Sequence, residues 1–119
     1  IMEILLLRFF LILIIGGMAF IAQPGSLRAD EAKIAKAFLN DPDNIAVGRK
    51  LFQKQCARCH GQKAYPGKAP KLKPEKYEPG FVYRRITKGF RGMPSWKRRY
   101  NKKQRKSLTA YVMSKDFTN

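Results

Sequence analysis

Apolar and polar positions divide the chain in two. Residues 4–22 are apolar except for Arg8, Gly16 and Gly17, and the stretch 9–22 runs for 14 residues without a polar side chain. A secretory h-region is about 7–15 residues long, and a membrane-spanning helix needs about 20. Counted from Ile4 the run is 19 residues, with Arg8 placed to snorkel at its end. Cleavage after Ala22 or Ala29 would set Phe20 or Leu27 three residues upstream, where a small side chain is preferred. We therefore read 1–29 as a signal peptide or membrane anchor; either one exports the C-terminal part of the chain.

Past residue 29 the period is helical. Residues 29–39 place Ile34, Ala35, Phe38 and Leu39 on one side of a short amphipathic helix, which Asn40-Asp41-Pro42-Asp43 breaks. Asp43 or Asn44 is then expected to cap a helix over 45–55, with Ile45, Gly48, Leu51 and Phe52 as its apolar positions. Residues 61–80 carry three glycines and four prolines and read as loop with at most one helical turn. Val82 and Ile86, four apart, predict a short helix over 81–88 that Gly89 stops. After a loop over 90–100, Asn101 and Gln104 have the spacing of a capping box with Asn in the cap position. The final helix runs to about residue 114 with Leu108, Tyr111 and Val112 on one face. There are no repeats and no strand-like alternation, so the expected class is all-α, with about four to five helices.

Residues 30–119 make one domain of 90 residues. A chain that short buries a small core and usually needs a staple. Its charge is lopsided: 23 Lys and Arg against 7 Asp and Glu, a net of +16. Such a field attracts acidic surfaces, and salt weakens it.

The candidate chemistry sits in five residues, Cys56-Ala57-Arg58-Cys59-His60, which hold both cysteines and the one histidine of the chain. The spacing C-x-x-C-H reads as covalent attachment of one c-type haem, with thioethers to Cys56 and Cys59 and the His60 imidazole on iron. A structural zinc site needs four ligands, and this cluster supplies three. A thioredoxin-like pair needs a βαβ setting, which the pattern lacks. A disulfide across so short a loop stabilises little and leaves His60 without a role.

The second iron ligand cannot be histidine, and methionine is the next usual choice. Of the four, Met2 and Met18 lie in the N-terminal segment and Met113 has core-like neighbours. Met93 sits in the loop Arg91-Gly92-Met93-Pro94-Ser95-Trp96, where Gly92 permits close approach and Pro94 stiffens the exit. Met93 is the expected ligand.

With these residues in place, the chain resembles the class I cytochromes c over about residues 43–116, in the short monohaem bacterial form. Gly48 and Phe52 match the family's first-helix glycine and aromatic, which cross the last helix at its aromatic, here Tyr111. Ala69-Pro70-Lys71-Leu72 looks like the family's Gly-Pro-x-Leu, with alanine for the glycine. The resemblance implies that the Pro70 carbonyl accepts a hydrogen bond from the unligated imidazole nitrogen of His60 and that Leu72 packs on haem. Gly92-Met93-Pro94 with Trp96 is similar to the axial-methionine loop, and it implies an indole N–H near the haem propionates.

The expected function is one-electron transfer without substrate chemistry, so not an enzyme. Docking to an acidic redox protein or a respiratory or photosynthetic complex would use a basic surface on the export (periplasmic) side. Tyr65, Lys63, Lys68, Arg91, Lys97, Arg98 and Arg99 are the loop residues expected near the exposed haem edge. Two alternatives stand beside this reading. One is a haem subunit fixed in a complex by the N-terminal helix; the other is a haem enzyme or gas sensor, should Met93 not bind iron. Nucleic-acid binding, suggested by the interleaved bases and aromatics of 83–85 and 96–100, is disfavoured by export. No small-molecule substrate is expected.

Overall fold

The computed structural model describes residues 33–118; the signal or anchor reading of 1–29 lies outside the described residues. Among the described residues there are five α-helical segments: α1 (Lys36–Asn40), α2 (Pro42–Leu51), α3 (Ala57–His60), α4 (Pro79–Lys88) and α5 (Lys102–Met113). A single π-helical turn, Phe52–Cys56, joins α2 to α3, and 3-10 turns lie at Pro74–Lys76 and Lys115–Phe117. Among the described residues there is no strand, only an isolated antiparallel bridge between Phe90 and Met93.

Local chemistry accounts for the boundaries. The helix expected over 29–39 begins within the described residues only at Lys36, because Ile34 is buried at 6 % exposure on a non-helical approach. α2 starts earlier than expected and with a different cap: the Asp41 carboxylate accepts from the Asp43 N–H at 2.9 Å, and Pro42 takes the first helical position. Proline there gives up an N–H that has no intrahelical partner, so Asp-Pro starts this helix instead of only breaking the previous one. Asn44 does not cap; its side-chain amide donates to the Phe38 carbonyl at 3.2 Å and ties α1 to α2. At α4, Pro79 again opens the helix, and Gly89, at φ 74°, closes it with its N–H on the Arg85 carbonyl. At α5 the capping box is complete in both directions, at 2.9 and 3.0 Å.

The core lies where α2 crosses α5. A Cβ on Gly48 would meet the Ser107 carbonyl oxygen and stand 2.6 Å from the Ser107 carbonyl carbon and 2.8 Å from Tyr111 Cβ. The two backbones therefore touch at this glycine, which lets the aromatics beyond it interlock. Phe52 meets the Tyr111 ring edge-on with centroids 5.6 Å apart. Phe117, from the turn after α5, packs against both rings at 5.1 and 5.3 Å and is fully buried. Arg49 on α2 bonds Asp116 at 3.1 Å and holds that turn down. α4 covers the other side of α5 with Val82, Tyr83 and Ile86 buried.

Candidate haem site

The C-x-x-C-H residues sit at the end of the long α2–α3 helix. The π turn starts at Phe52, whose ring is in the core, and delivers Cys56 half-buried, Cys59 exposed and His60 half-buried with its ring 6.5 Å from that of Phe52. One added residue in a helical turn rotates everything after it, so the π turn helps set which face of the helix carries the motif.

The following loop is folded tightly under the motif. The Ala69 N–H donates to the Cys59 carbonyl at 2.8 Å, and the Leu72 N–H to the Ala64 carbonyl at 3.2 Å. A Cβ on Gly67 would meet the Cys59 carbonyl oxygen and stand 2.8 Å from the His60 carbonyl carbon. Gly67 is thus a functional-site residue missed in the sequence, where it looks like any loop glycine; its signal is the seven-residue spacing to His60, legible only once the loop is known to fold back.

The electrostatics suit metal binding. Burial lowers the His60 pKa below its ordinary value, which favours the neutral imidazole that coordinates metal. His60 Nδ1 is buried and has no hydrogen-bond partner among the described residues. The hydrogen bond to the Pro70 carbonyl that the family resemblance implies is therefore not made here. The loop closes one residue earlier, through Ala69 on Cys59, and Pro70 is exposed. Burial, and then the neighbouring Cys59, pushes the Cys56 thiol up to about 12.

Three further candidates border the same core as Cys56. Cys56, Leu72, Met93 and Trp96 are each half-buried and pack against the cluster of Phe52, Val82, Ile86, Leu108 and Tyr111. Met93 lies in a two-residue hairpin: Phe90 and Met93 exchange both backbone hydrogen bonds at 2.9 Å, and Arg91 turns with φ 52°. Trp96 stacks on the buried Tyr100 with centroids 5.7 Å apart, and its backbone N–H donates to the Ile86 carbonyl. Of the expected docking residues, Lys63, Tyr65, Lys68, Arg91, Lys97, Arg98 and Arg99 are all exposed. Among the described residues the Arg49–Asp116 contact is the one salt bridge, so the positive field is almost uncompensated within the fold.

Two free thiols one helical turn apart, an adjoining neutral imidazole with an unpartnered buried nitrogen, and a half-buried apolar rim fit a covalently bound haem. The fold and site define a small helical c-type cytochrome domain. The family model described as cytochrome C oxidase, cbb3-type, subunit III matches residues 43–112, which is 70 of the 119 residues, and the chain belongs to that family. No curated protein and no solved structure gives a match. Membership brings a covalently bound c-type haem with iron, and with it haem-based electron transfer.

Proposed function

We propose that this domain is a one-electron carrier whose iron is held by His60 and Met93, and whose basic loops dock an acidic redox partner. Haem, when bound, supplies an iron that alternates between the ferrous and ferric states. Cys56 and Cys59 fix the group to the helix. His60 offers a neutral imidazole, and Met93 a soft thioether that favours the reduced metal and raises the potential. Leu72 and Trp96 contribute apolar cover against water. Lys63, Lys68, Arg91, Lys97, Arg98 and Arg99 supply the field that steers an acidic face toward the site, which speeds encounter more than it tightens binding.

The observation that carries this reading is that Cys56, Leu72, Met93 and Trp96 all pack, half-buried, against one buried core that includes the ring of Phe52 preceding the C-x-x-C-H turn. Its test is the ferric spectrum. The native protein is expected to show the weak red sulfur-to-iron band and Met93→Ala to lack it. A native protein without the band, or a variant that keeps it, would refute Met93 ligation and favour an open-site enzyme or gas sensor.

The matched family's description favours one kind of partner, an oxidase or related respiratory complex, and the export reading of residues 1–29 puts their meeting on the export side of the membrane. Among the described residues no helix is long and apolar enough to cross a membrane, so attachment is read through residues 4–22 or through the complex itself. Co-purification of the full chain with a membrane oxidase supports this partner; quantitative recovery as a free, salt-soluble protein refutes a fixed-subunit role.

A further inference from the structure

The hairpin that carries Met93 is fastened to α4 by two different devices. Its outgoing leg is tied by hydrogen bonds to the last carbonyls of α4: Ser95 Oγ donates to Thr87 at 2.7 Å, and the Trp96 N–H donates to Ile86 at 3.1 Å. The incoming leg is bonded to the helix at Gly89, whose N–H donates to the Arg85 carbonyl at 2.8 Å, but beyond it Phe90 has no such bond. Its backbone N–H and carbonyl are both spent on Met93. Two guanidinium groups stand over the Phe90 ring: Arg91, within the hairpin itself, at 5.1 Å from the centroid, and Arg85 of α4 at 3.8 Å, which also lies 4.9 Å from the centroid of Phe81, one helical turn earlier; of the two, only Arg85 ties the ring to the helix. Arg85 is half-buried and forms no salt bridge among the described residues, so these two rings are its closest charge-stabilising partners there. Phe90 remains 49 % exposed, far more than an aromatic ring held in place by core burial would be.

We infer that Arg85 is a positioning residue for the axial thioether: its cation, stacked on Phe81 and Phe90, pins the incoming leg of the hairpin at Phe90 and keeps Met93 closed on the iron. This rests on Met93 ligation as proposed above. A planar guanidinium covers two rings in a way an ammonium does not, so lysine is an incomplete replacement. Opening of the leg would break the paired Phe90–Met93 bonds and withdraw the thioether, so that a bound haem iron would become accessible to an external ligand. The apparent affinity for such a ligand scales with the open fraction.

The test uses ferric holoprotein and imidazole as the competing ligand, followed by loss of the sulfur-to-iron band. Arg85→Gln and Phe90→Leu are each expected to raise the apparent imidazole affinity about five- to tenfold, and Arg85→Lys by less, as the loss of a cation–π stack of this exposure predicts. Arg49→Gln removes the same charge at the α2–α5 seam and is expected to change it less than twofold. In the ferrous protein, Arg85→Gln should speed hydrogen exchange at the Phe90 and Met93 amides while leaving that of Trp96, which is tied directly to α4, unchanged. The inference is overturned if Arg85→Gln stays within twofold of the native protein. An equal response of Arg49→Gln, or acceleration of all three amides alike, overturns it too. Absence of the band in the native protein refutes ligation itself and so separates the two failures.

Discussion

Replacing Gly48 by alanine inserts one methyl group where two helix backbones touch. The new Cβ would stand 2.6 Å from the Ser107 carbonyl carbon and 2.8 Å from Tyr111 Cβ, against 3.4–4 Å for ordinary contact. Backbone atoms cannot rotate away, so α2 must retreat from α5 by up to about 1 Å. A gap of that size forfeits about a quarter to a half of the contact energy across it. The seam holds Phe52, Leu108, Tyr111 and Phe117, all buried at 2 % exposure or less. At about 2 kcal/mol of burial each, the loss is about 2–4 kcal/mol. Alanine returns about 1 kcal/mol through its helix propensity. The net expectation is destabilisation by about 2 kcal/mol, or a fall in Tm of about 8–16 °C for a domain of this size. Guanidinium unfolding of ferric holoprotein, read by far-UV circular dichroism and by the single Trp96, measures it. Gly92→Ala is the control, since nothing lies within 4 Å of a Cβ there. A Gly48→Ala protein within about 0.5 kcal/mol of the native one, or no worse than Gly92→Ala, would show that the helices do not meet on this glycine.

Phe117→Ala should cost about 3–5 kcal/mol in the same unfolding assay, because its fully buried ring fills the space between Phe52 and Tyr111; a cost under about 1 kcal/mol would mean the C-terminal turn is not part of the core. Arg91→Gly should stabilise the domain by less than about 1 kcal/mol, since relief of the strain at φ 52° is partly offset by the loss of a guanidinium 5.1 Å from the Phe90 ring; a clear loss of stability would count against that hairpin geometry. Cys56→Ala with Cys59→Ala should release all colour from the polypeptide in acid–acetone and lose helical circular dichroism, whereas the native chain keeps its colour; a well-folded colourless variant would show that the domain does not need the group as its staple. Electron transfer to an acidic partner should slow steeply between about 10 mM and 1 M salt, as the Debye length falls from about 30 to 3 Å; a salt-independent rate would remove electrostatic steering.

The sequence determined the parts of this protein whose cause is local. Cys56, Cys59 and His60 declare their chemistry through spacing alone, because thioether attachment and coordination need those atoms on one helical turn. Asn101 and Gln104 announced the start of α5, since a capping box closes within four residues. The crossing of Gly48 and Phe52 with Tyr111 was also legible, through family resemblance. Elements whose reason is distant were not. Asp-Pro at 41–42 is read equally well as a breaker or a start, and only the helix beyond it decides. The π turn at Phe52–Cys56 leaves no mark in a period count, yet it helps rotate the haem motif into place. Gly67 and Phe117 are unremarkable in sequence because their partners lie elsewhere: Cys59 and His60 for one, the α2–α5 aromatics for the other. Likewise the exposed Phe90 gains meaning only when the fold sets it against Arg85, 3.8 Å from the guanidinium carbon. Covalent spacing and capping are written along the chain; packing depends on atoms far apart along it, and only the folded backbone brings those together.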